Sequence, residues 1–252
     1  MALHRTRAVV LKSINLSDSD RLVTFLTKSH GKVKCVVKGA RKLKNRFWGS
    51  LEPMSHIHLI YFGKENQNLY RLNQADIIES FQSIREDLGK LYKGVYFLEL
   101  IDSMVLEGHQ DQRIYFLLQQ TLSVLKSQKD LNPLIRLFEI RLLSLSGYKP
   151  QLDHCVICKT VSVNGIFKFS FIQNGILCAN CSRKTSTDIQ FTTGTRNYIK
   201  KLMEVEIKSC GRIKIPKNQA KEIEKVTHRL VLSQLGRETK SYPFIKSMAQ
   251  FI

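Results

Sequence analysis

The first 80 residues carry apolar positions in short stretches that partly alternate with polar positions, which is the pattern of half-buried β-strands. Glycines and a serine–aspartate cluster separate the stretches and mark turns. We expect strands at residues 6–14, 22–27, 32–38 and 56–62, with further strand segments at 69–72 and 76–78. About five short strands in this length predict a small closed barrel, and the OB-fold fits that length. A five-stranded SH3-like barrel has the same pattern and stays open as an alternative.

After residue 80 the apolar positions recur with a helical period. Gly108 and Gly147 end two of these stripes, and Pro216 stands where the start of a helix tolerates proline. Helices are predicted at residues 84–105, 114–125, 131–147, 195–205 and 217–235, and residues 241–252 are expected to form a packed tail or a short helix. The pattern therefore predicts an α+β protein, with an N-terminal OB-fold β-barrel domain over residues 1–80 and an α-helical domain over residues 81–252.

The net charge of the chain indicates which class of partner it binds. The chain has 40 Lys and Arg residues against 21 Asp and Glu residues, which gives a net charge of +19. A globular protein this basic usually binds a polyanion, and nucleic acid is favoured over an anionic membrane surface or an acidic protein. The net charge is +8 over residues 1–80, +1 over 81–150 and +10 over 151–252. We therefore expect a nearly neutral scaffold between two basic segments that can touch phosphate.

One strand and the loop after it concentrate this positive charge, since no acidic residue stands between Asp20 and Glu52. Alternate residues of a strand share one face, which groups the lysines of the strand. The residues predicted to contact DNA phosphates or bases are Lys32, Lys34, Lys38, Arg41, Lys42, Lys44, Arg46 and Trp48. The alternative is a solvated loop in which Phe47 and Trp48 are buried anchors. The pattern leaves open whether Trp48 stacks on bases or packs in the core.

Four cysteines in two Cys-x-x-Cys pairs form the most specific chemical motif of the chain. Cys155 and Cys158 form the first pair, Cys178 and Cys181 form the second, and 19 residues separate the pairs. This spacing is typical of a structural zinc site, in which two knuckles supply four thiolates to a tetrahedral Zn²⁺. Four sulfur ligands leave no position for a substrate or a water. We therefore predict one structural zinc ion per chain, in a module at residues 150–185 embedded in the helical domain.

Other roles for the cysteines are less favoured. The N-terminal residues lack the apolar stretch of a signal peptide, so a reducing cytosol is expected and two disulfides are not. An iron–sulfur cluster, or a site that has lost its metal, stays open. Cys35 and Cys210 stand alone and are expected to be small buried hydrophobic residues. His154 precedes the first cysteine and is expected to be a bystander.

Catalytic motifs are missing from the sequence. It contains no Walker A motif, no Gly-x-Gly-x-x-Gly after a strand, no His-Glu-x-x-His and no Gly-x-Ser-x-Gly. The zinc deaminases need His-x-Glu upstream of Pro-Cys-x-x-Cys, and this pattern is absent as well. We therefore expect a binding protein and not an enzyme. No run of 18 or more apolar residues occurs, so no transmembrane helix is expected.

Four blocks of the sequence follow the pattern of one known family. They are AVVLKSINLSDSDRLVTFLTKSHGKVKCVVKGARK at 8–42, FLEL at 97–100, FEIRLLSLSGYKPQLDHCVIC at 138–158 and NGILCANC at 174–181. In these blocks the chain resembles the RecO family of bacterial DNA repair proteins. The family pattern often has glycine directly after the second cysteine, where Lys159 stands, and two glycines before the third, where Asn174 and Gly175 stand. These departures affect the turns of the knuckles and not the ligands. The resemblance implies an OB-fold, a helical domain and an embedded structural zinc module.

The same resemblance implies a non-catalytic mediator of DNA repair and homologous recombination in the RecF pathway. Such proteins bind single- and double-stranded DNA, anneal complementary strands, and bind RecR and the acidic C-terminal tail of single-stranded-DNA-binding protein. They help to load RecA onto coated DNA, so RecA is an indirect partner, and they act in the cytoplasm at the nucleoid without a membrane. A competing interpretation, based on charge and cysteines alone, is an RNA-binding or ribosome-associated OB-fold zinc protein.

Overall fold

The computed structural model describes residues 2–42, 45–64, 67–128, 132–161, 165–185 and 189–249. In chain order the elements are β1 (Ala2–Asn15), β2 (Arg21–Thr27), β3 (Gly31–Val37), β4 (His56–Gly63), β5 (Tyr70–Glu79), α1 (Gln82–Arg85), α2 (Leu88–Met104), α3 (Gln112–Ser127), α4 (Asn132–Leu145), β6 (Ile166–Ser170), β7 (Gly175–Leu177), α5 (Cys181–Lys184), β8 (Ile189–Thr192), α6 (Thr193–Glu204), a 3₁₀ helix (Ile207–Arg212), α7 (Ala220–Leu235) and α8 (Tyr242–Ala249). They form two compact units, the first from Met1–Ser127 with Thr239–Ile252 and the second from Gln128–Glu238. The predicted boundary after residue 80 stays a prediction.

The first unit is built on a closed five-stranded barrel with the strand order β1-β2-β3-β5-β4. Strand β1 pairs antiparallel with both β2 and β4, and β3 runs parallel to β5. This order is that of the OB-fold, so the predicted fold class is confirmed and the SH3-like alternative is not. Alternate side chains of each strand fill the interior, which places Val33, Cys35 and Val37 of β3 in one core cluster. Cys35 is fully buried, as predicted.

Strand β5 differs from its prediction. The segments 69–72 and 76–78 were expected to be separate, but they belong to one strand from Tyr70 to Glu79. Opposite β4, Ile60 pairs with Gln74 while Tyr61 pairs with Leu72, so an extra residue of β5 is left between these pairs. A β-bulge of this kind breaks the alternation of apolar and polar positions without ending the strand. The interrupted pattern therefore indicated two strands where the backbone forms one.

Helices α1, α2, α3 and α8 complete the first unit, and the predicted stripes over 84–105 and 114–125 correspond to α1–α2 and α3. The carboxylate of Asp87 caps the start of α2 by accepting the backbone N–H of Lys90 at 3.0 Å. Gly108 ends this region with a φ of +71°, a value that glycine adopts readily. Glu99 of α2 accepts the backbone N–H groups of Lys240 and Ser241. These hydrogen bonds position the tail, which forms the helix α8.

The second unit packs helices around α4 and carries a small sheet with the order β7-β6-β8. Helix α4 is almost wholly buried and includes an ion pair between Arg136 and Glu139 at 3.1 Å. Cys210 is fully buried, as predicted. Helix α7 begins at Ala220, so Pro216 lies in the preceding turn and not in the first turn of the helix. Leu131, the predicted first residue of the third helix, lies outside the described residues.

The strands of the small sheet were not predicted, because they are only three to five residues long. Such short runs carry too few positions for an alternation to be recognised. Among the helices of the described residues, none combines the length and the apolar character needed to cross a membrane.

A buried hydrogen bond joins the barrel to α3. The ring Nε2 of His56 on β4 lies 2.7 Å from the hydroxyl of Tyr115. Burial lowers the pKa of His56, and the nearby positive charge of Arg7 lowers it further. The neutral imidazole is therefore the form that the folded chain favours.

This lowered pKa predicts how stability depends on pH. Between the lowered pKa and the ordinary value of about 6.5, the unfolded chain binds more protons than the folded chain. The contribution of His56 is therefore complete above about pH 6.5 and is lost as the pH falls below that value. We expect the urea-derived free energy of unfolding to fall less between about pH 7.5 and pH 5 for His56→Gln than for the wild type. The matched variant His109→Gln, at an exposed position after α2, should retain the wild-type dependence; equal pH dependence in all three proteins would contradict the prediction.

Candidate metal centre and nucleic-acid surface

The four predicted cysteine ligands converge in the second unit. Their sulfur atoms all lie within 4.8 Å of one another, and Cys158 Sγ is 3.5 Å from Cys178 Sγ. Tetrahedral coordination with Zn–S bonds of about 2.3 Å would place the sulfurs about 3.8 Å apart. The cluster of Cys155, Cys158, Cys178 and Cys181 therefore fits one metal ion, and its all-sulfur donor set suits a soft or borderline cation.

The small sheet and two tight turns bring these cysteines together. In the first knuckle, Lys159 donates its N–H to the carbonyl of Cys155 at 3.0 Å. Val156 donates its N–H to the carbonyl of Ile176, which joins this knuckle to β7. Strand β7 ends one residue before Cys178, and α5 starts at the fourth cysteine. These contacts of the first knuckle with β7 thus hold the two Cys-x-x-Cys pairs beside each other.

At two positions beside the cysteines, the chain has another residue where the family that it resembles often has glycine. Lys159 has a φ of +63° and Asn174 a φ of +48°, so both lie in the left-handed region that glycine adopts without strain. Asparagine visits this region more readily than other non-glycine residues. Lys159 is less suited to it, but its ammonium donates to the carbonyl of Val156 at 3.2 Å. The turns of the knuckles therefore persist without those glycines.

The electrostatics of the cluster favour metal binding. Hydrogen bonding to the hydroxyl and then the backbone of Thr160 lowers the pKa of Cys158 to about 6, so this exposed thiol is readily a thiolate. Hydrogen bonding with Cys178 raises the pKa of Cys181 to about 12. Four thiolates packed this closely repel one another, so a bound cation is what allows all four to be deprotonated together.

Within the described residues, the cysteine cluster involves neither a disulfide nor His154. All six cysteines are free thiols, so the structure contains no disulfide. His154 does not belong to the cluster found among the described residues, in agreement with its predicted role as a bystander. Its neighbour Asp153 forms an ion pair with Lys200 at 2.5 Å.

The structure separates the predicted DNA-contacting residues into those that pair with acidic side chains and those that stay exposed. Lys32 and Lys34 of β3 belong to the first group. Lys32 is only 8% exposed, and its ammonium donates to the carbonyl of Asp102 at 2.6 Å and lies 3.4 Å from the Asp102 carboxylate. Lys34 lies on the same outer face of the barrel and forms an ion pair with Glu107. The covered position of Lys32 does not fit its predicted contact with phosphate. Sequence patterning shows the shared face of these lysines but not the acidic residues that cover it, Asp102 near the end of α2 and Glu107 just after that helix.

The loop that follows β3 keeps its cations exposed. Its first turn is fixed by Gly39, which has a φ of +69° and donates its N–H to the Asp20 carboxylate at 2.9 Å. This hydrogen bond, together with one from Ser19, lowers the pKa of Asp20. Arg41 donates to the carbonyl of Ser17 at 2.7 Å and so holds the loop against the β1–β2 turn. Lys38, Arg41, Lys42 and Arg46 are exposed, whereas Lys44 lies outside the described residues.

The two aromatic residues at the end of the loop have opposite environments. Phe47 is 5% exposed and belongs to the barrel core, with the Arg46 guanidinium 4.9 Å from the centre of its ring. Trp48 is 78% exposed. It lines a groove of about 470 Å³ together with Arg41 and Lys42. Phe47 is therefore the anchor, and Trp48 is free to offer an aromatic face to a ligand.

The structure adds one cation that the sequence did not reveal. Arg71 is exposed on β5, opposite Val36 in the parallel β3–β5 pair. It lines a second groove with Lys38 and Arg46. Only the barrel topology brings residues this far apart in sequence together. We refer to Lys38, Arg41, Lys42, Arg46, Trp48 and Arg71 as the barrel surface.

Comparison with known protein families covers nearly the whole chain. Residues 1–81 match the family model described as "Recombination protein O N terminal". Residues 85–243 match the model described as "Recombination protein O C terminal". The first match corresponds to the barrel, and the second begins with the helices that follow it.

Individual relatives match the chain over nearly their full length. The chain is 31% identical to a DNA repair protein RecO of Symbiobacterium thermophilum, over 98% of each chain. It is 31% identical to a protein of the same name from Thermoanaerobacter sp., over 98% of this chain and 99% of the relative. A third, from Syntrophus aciditrophicus, is 32% identical over 95% of this chain and 94% of the relative.

Substitution of the cysteines tests the metal centre. We expect Cys155→Ser and Cys178→Ser to lose the bound metal and to melt at a lower temperature, because a structural tetrathiolate site contributes about 10 kcal/mol or more of apparent binding energy to folding. Elemental analysis of protein purified without chelator would measure the metal. The control His154→Ala should retain about one equivalent, as expected for a bystander. A full equivalent of metal in either cysteine variant would contradict the assignment.

Proposed function

Because this chain belongs to the recombination protein O family, we propose that it is a non-catalytic mediator of DNA repair by homologous recombination. The observation that carries the proposal is the barrel surface, where exposed cations surround the exposed Trp48. Cations bind phosphates and an aromatic face stacks on bases, so one surface offers both parts of a single-strand site. The net charge of +19 favours such binding across the chain.

Each group on the barrel surface has a distinct role in this proposal. Lys38, Lys42 and Arg46 neutralise the backbone of the strand, since none of them forms an ion pair within the described residues and the charge of Asp20 reaches Lys38 and Lys42 only over a longer distance. Arg41 does the same while it holds the loop through Ser17. Trp48 stacks on an unpaired base, which favours single-stranded over double-stranded DNA. Double-stranded DNA would meet the same cations through its phosphates alone.

We propose that the chain anneals complementary strands without a nucleotide cofactor. Phosphate repulsion opposes the approach of two strands, and a highly basic protein lowers this barrier by screening both backbones. Residues 1–80 and 151–252 carry net charges of +8 and +10, so each of these segments can attract a strand. The sequence has no phosphate-binding loop for ATP.

The metal proposed for the cysteine cluster is one structural Zn²⁺. Bound there, zinc would crosslink the two knuckles through four sulfurs and leave no position for substrate. Cys155 and Cys158 would hold the first turn, while Cys178 and Cys181 would hold the end of β7 and the start of α5. The role is to stabilise the fold, so DNA chemistry is not assigned to this site.

The proposed protein partners rest on the family alone. They are RecR, the acidic C-terminal tail of single-stranded-DNA-binding protein and, indirectly, RecA, which this chain would help to load onto coated DNA in the RecF pathway. An acidic tail suits a chain with this excess of Lys and Arg. The proposed location is the cytoplasm, at the nucleoid, where these partners and DNA meet.

The annealing proposal can be tested with labelled complementary oligonucleotides. We expect the chain to accelerate annealing of DNA at low salt, equally with and without ATP, and to lose this effect as salt rises. On DNA coated with single-stranded-DNA-binding protein, removal of the acidic tail of that protein should abolish the acceleration. A rate equal to that without protein would contradict the proposal. Acceleration of complementary RNA but not DNA would support the competing RNA-binding function.

The phosphate contacts predict a change in salt dependence. Substitution of Lys38, Lys42 and Arg46 by Ala should weaken single-strand binding and flatten the slope of log affinity against log salt by about 2, since each lost phosphate contact removes about 0.7. Fluorescence anisotropy at several salt concentrations would measure the slope. A matched triple variant of Lys90, Arg113 and Lys126 loses the same charge on helices α2 and α3 of the same unit. Equal slopes in the two variants would place the contacts elsewhere.

The stacking role predicts a different signature for Trp48. Trp48→Ala should weaken single-strand binding by roughly 5- to 150-fold with an unchanged salt slope, because the lost contact is with a base and not a phosphate. Thermal stability should change little, since the side chain is 78% exposed. Trp48 is the sole tryptophan, so quenching of its fluorescence reports the stacking directly. The control Phe244→Ala removes another exposed aromatic ring of the same unit; an equal loss in both variants would argue against a specific stack.

A further inference from the structure

Helix α7 of the second unit carries a row of cations on its outer face. The exposed residues of this helix are Lys221, Lys225, Arg229 and Ser233, which stand four positions apart, and the side chains between them are buried or half-buried. Residues at this spacing lie on one face of a helix, about 6 Å apart along its axis. Each cation can therefore reach a different phosphate of one nucleic-acid backbone. We refer to Lys221, Lys225 and Arg229 as the α7 row.

The two acidic residues of α7 leave the row without ion pairs. The Glu222 carboxylate accepts the backbone N–H and the hydroxyl of Thr192, each at 2.8 Å, and also the hydroxyl of Thr195. Glu224 is half-buried, and its carbonyl accepts a hydrogen bond from Arg136 of α4. Within the described residues, no member of the row lies within ion-pair distance of a carboxylate.

The uncompensated charge of the α7 row has a cost. Like charges four residues apart repel one another and lower the stability of a helix. A bound polyanion would remove this repulsion. The chain that leads into α7 extends the positive charge, since no acidic residue stands between Glu206 and Glu222 and all cations of this stretch are exposed: Lys208, Arg212, Lys214, Lys217 and Lys221.

The α7 row lacks the free aromatic ring that Trp48 gives to the barrel surface. No Phe, Tyr or Trp occurs between Tyr198 and Tyr242. The ring of Phe171 reaches the row, but it is occupied by Arg229, whose guanidinium lies 5.8 Å from its centre. Stacking of a base needs an accessible ring. The row therefore suits a DNA backbone and not the bases.

We propose that the α7 row binds the phosphate backbone of a second DNA segment and leaves its bases free to pair. The inference rests on the proposed function, in which the barrel surface holds one strand through Trp48, and it names the site of the other strand. Phosphate contacts carry no sequence information, so the row would accept any sequence. A strand held in this way presents the unpaired bases that annealing requires.

A strand-bridging experiment tests the inference. Full-length protein is captured on a sparsely immobilised strand of about 12 nucleotides, and a labelled strand that cannot pair with the first is then added. The wild type should retain the second strand. Substitution of Lys221, Lys225 and Arg229 by Gln should lower this retention by about fivefold or more, while quenching of Trp48 by the first strand stays unchanged. Loss of first-strand capture by the wild type would instead contradict the proposed function, so the two failures are distinguishable.

A matched variant controls for the loss of charge. Substitution of Lys149, Lys184 and Lys201 by Gln removes three exposed cations from other segments of the same unit and should leave retention of the second strand at the wild-type level. Equal retention by the row variant and this control would overturn the inference. The row variant should melt at or above the wild-type temperature at low salt, because Gln favours the helix and the repulsion is gone. A marked loss of stability would show that the row serves the fold instead.

A second measurement does not depend on the barrel surface. In a chain that already carries Ala at Lys38, Lys42 and Arg46, the row should still bind both an abasic strand and a duplex, because both keep their phosphates. Further substitution of the row by Gln should flatten the slope of log affinity against log salt by about 2 for the abasic strand and by about 2.7 for the duplex. Unchanged slopes for both would overturn the inference. So would row-dependent binding of a glutamate-rich peptide in preference to both forms of DNA, which would assign the row to an acidic protein.

Discussion

Closure of a five-stranded sheet requires a strand that finds partners along both of its edges, and β1 meets this requirement. Residues 8–15 of β1 pair with β2, and residues 2–9 pair with β4. Leu11 is left between the Val10 and Lys12 pairs, and such a bulge bends the strand enough for the ring to close. Once the ring is closed, the connecting loops carry the exposed functional side chains. The barrel surface depends on this closure.

The positive charge of the chain is used in two ways. On β3, Lys32 and Lys34 are neutralised by Asp102 and Glu107, so they help to hold the end of α2 and the segment after it against the barrel. In the loop after β3, the cations remain exposed around Trp48 and can meet phosphate. The cysteine cluster is confined to the second unit, where it organises the sheet β7-β6-β8. Metal binding and the proposed contacts of the barrel surface are thus assigned to different parts of the chain.

Sequence patterning was most successful where local spacing determines the structure. The barrel, the first three helical stripes and the convergence of the four cysteines all follow from short-range periodicity or motif spacing. Patterning failed where contacts between residues far apart in the sequence determine the structure. Examples are the bulge in β5, the burial of Lys32 and the position of Arg71 beside Lys38. The contrast between buried Phe47 and exposed Trp48 could not be read from two adjacent aromatic letters. Only the packing of the loop on the barrel core distinguishes them.

The proposed function depends most on the binding of single-stranded DNA at the barrel surface. Hydrogen–deuterium exchange of the full chain, with and without single-stranded DNA, tests this claim directly. We expect slower exchange on DNA binding in residues 38–42 and 45–49 and in the adjoining parts of β3 and β5. Protection confined to residues 128–238, with exchange of the barrel loops unchanged, would contradict it.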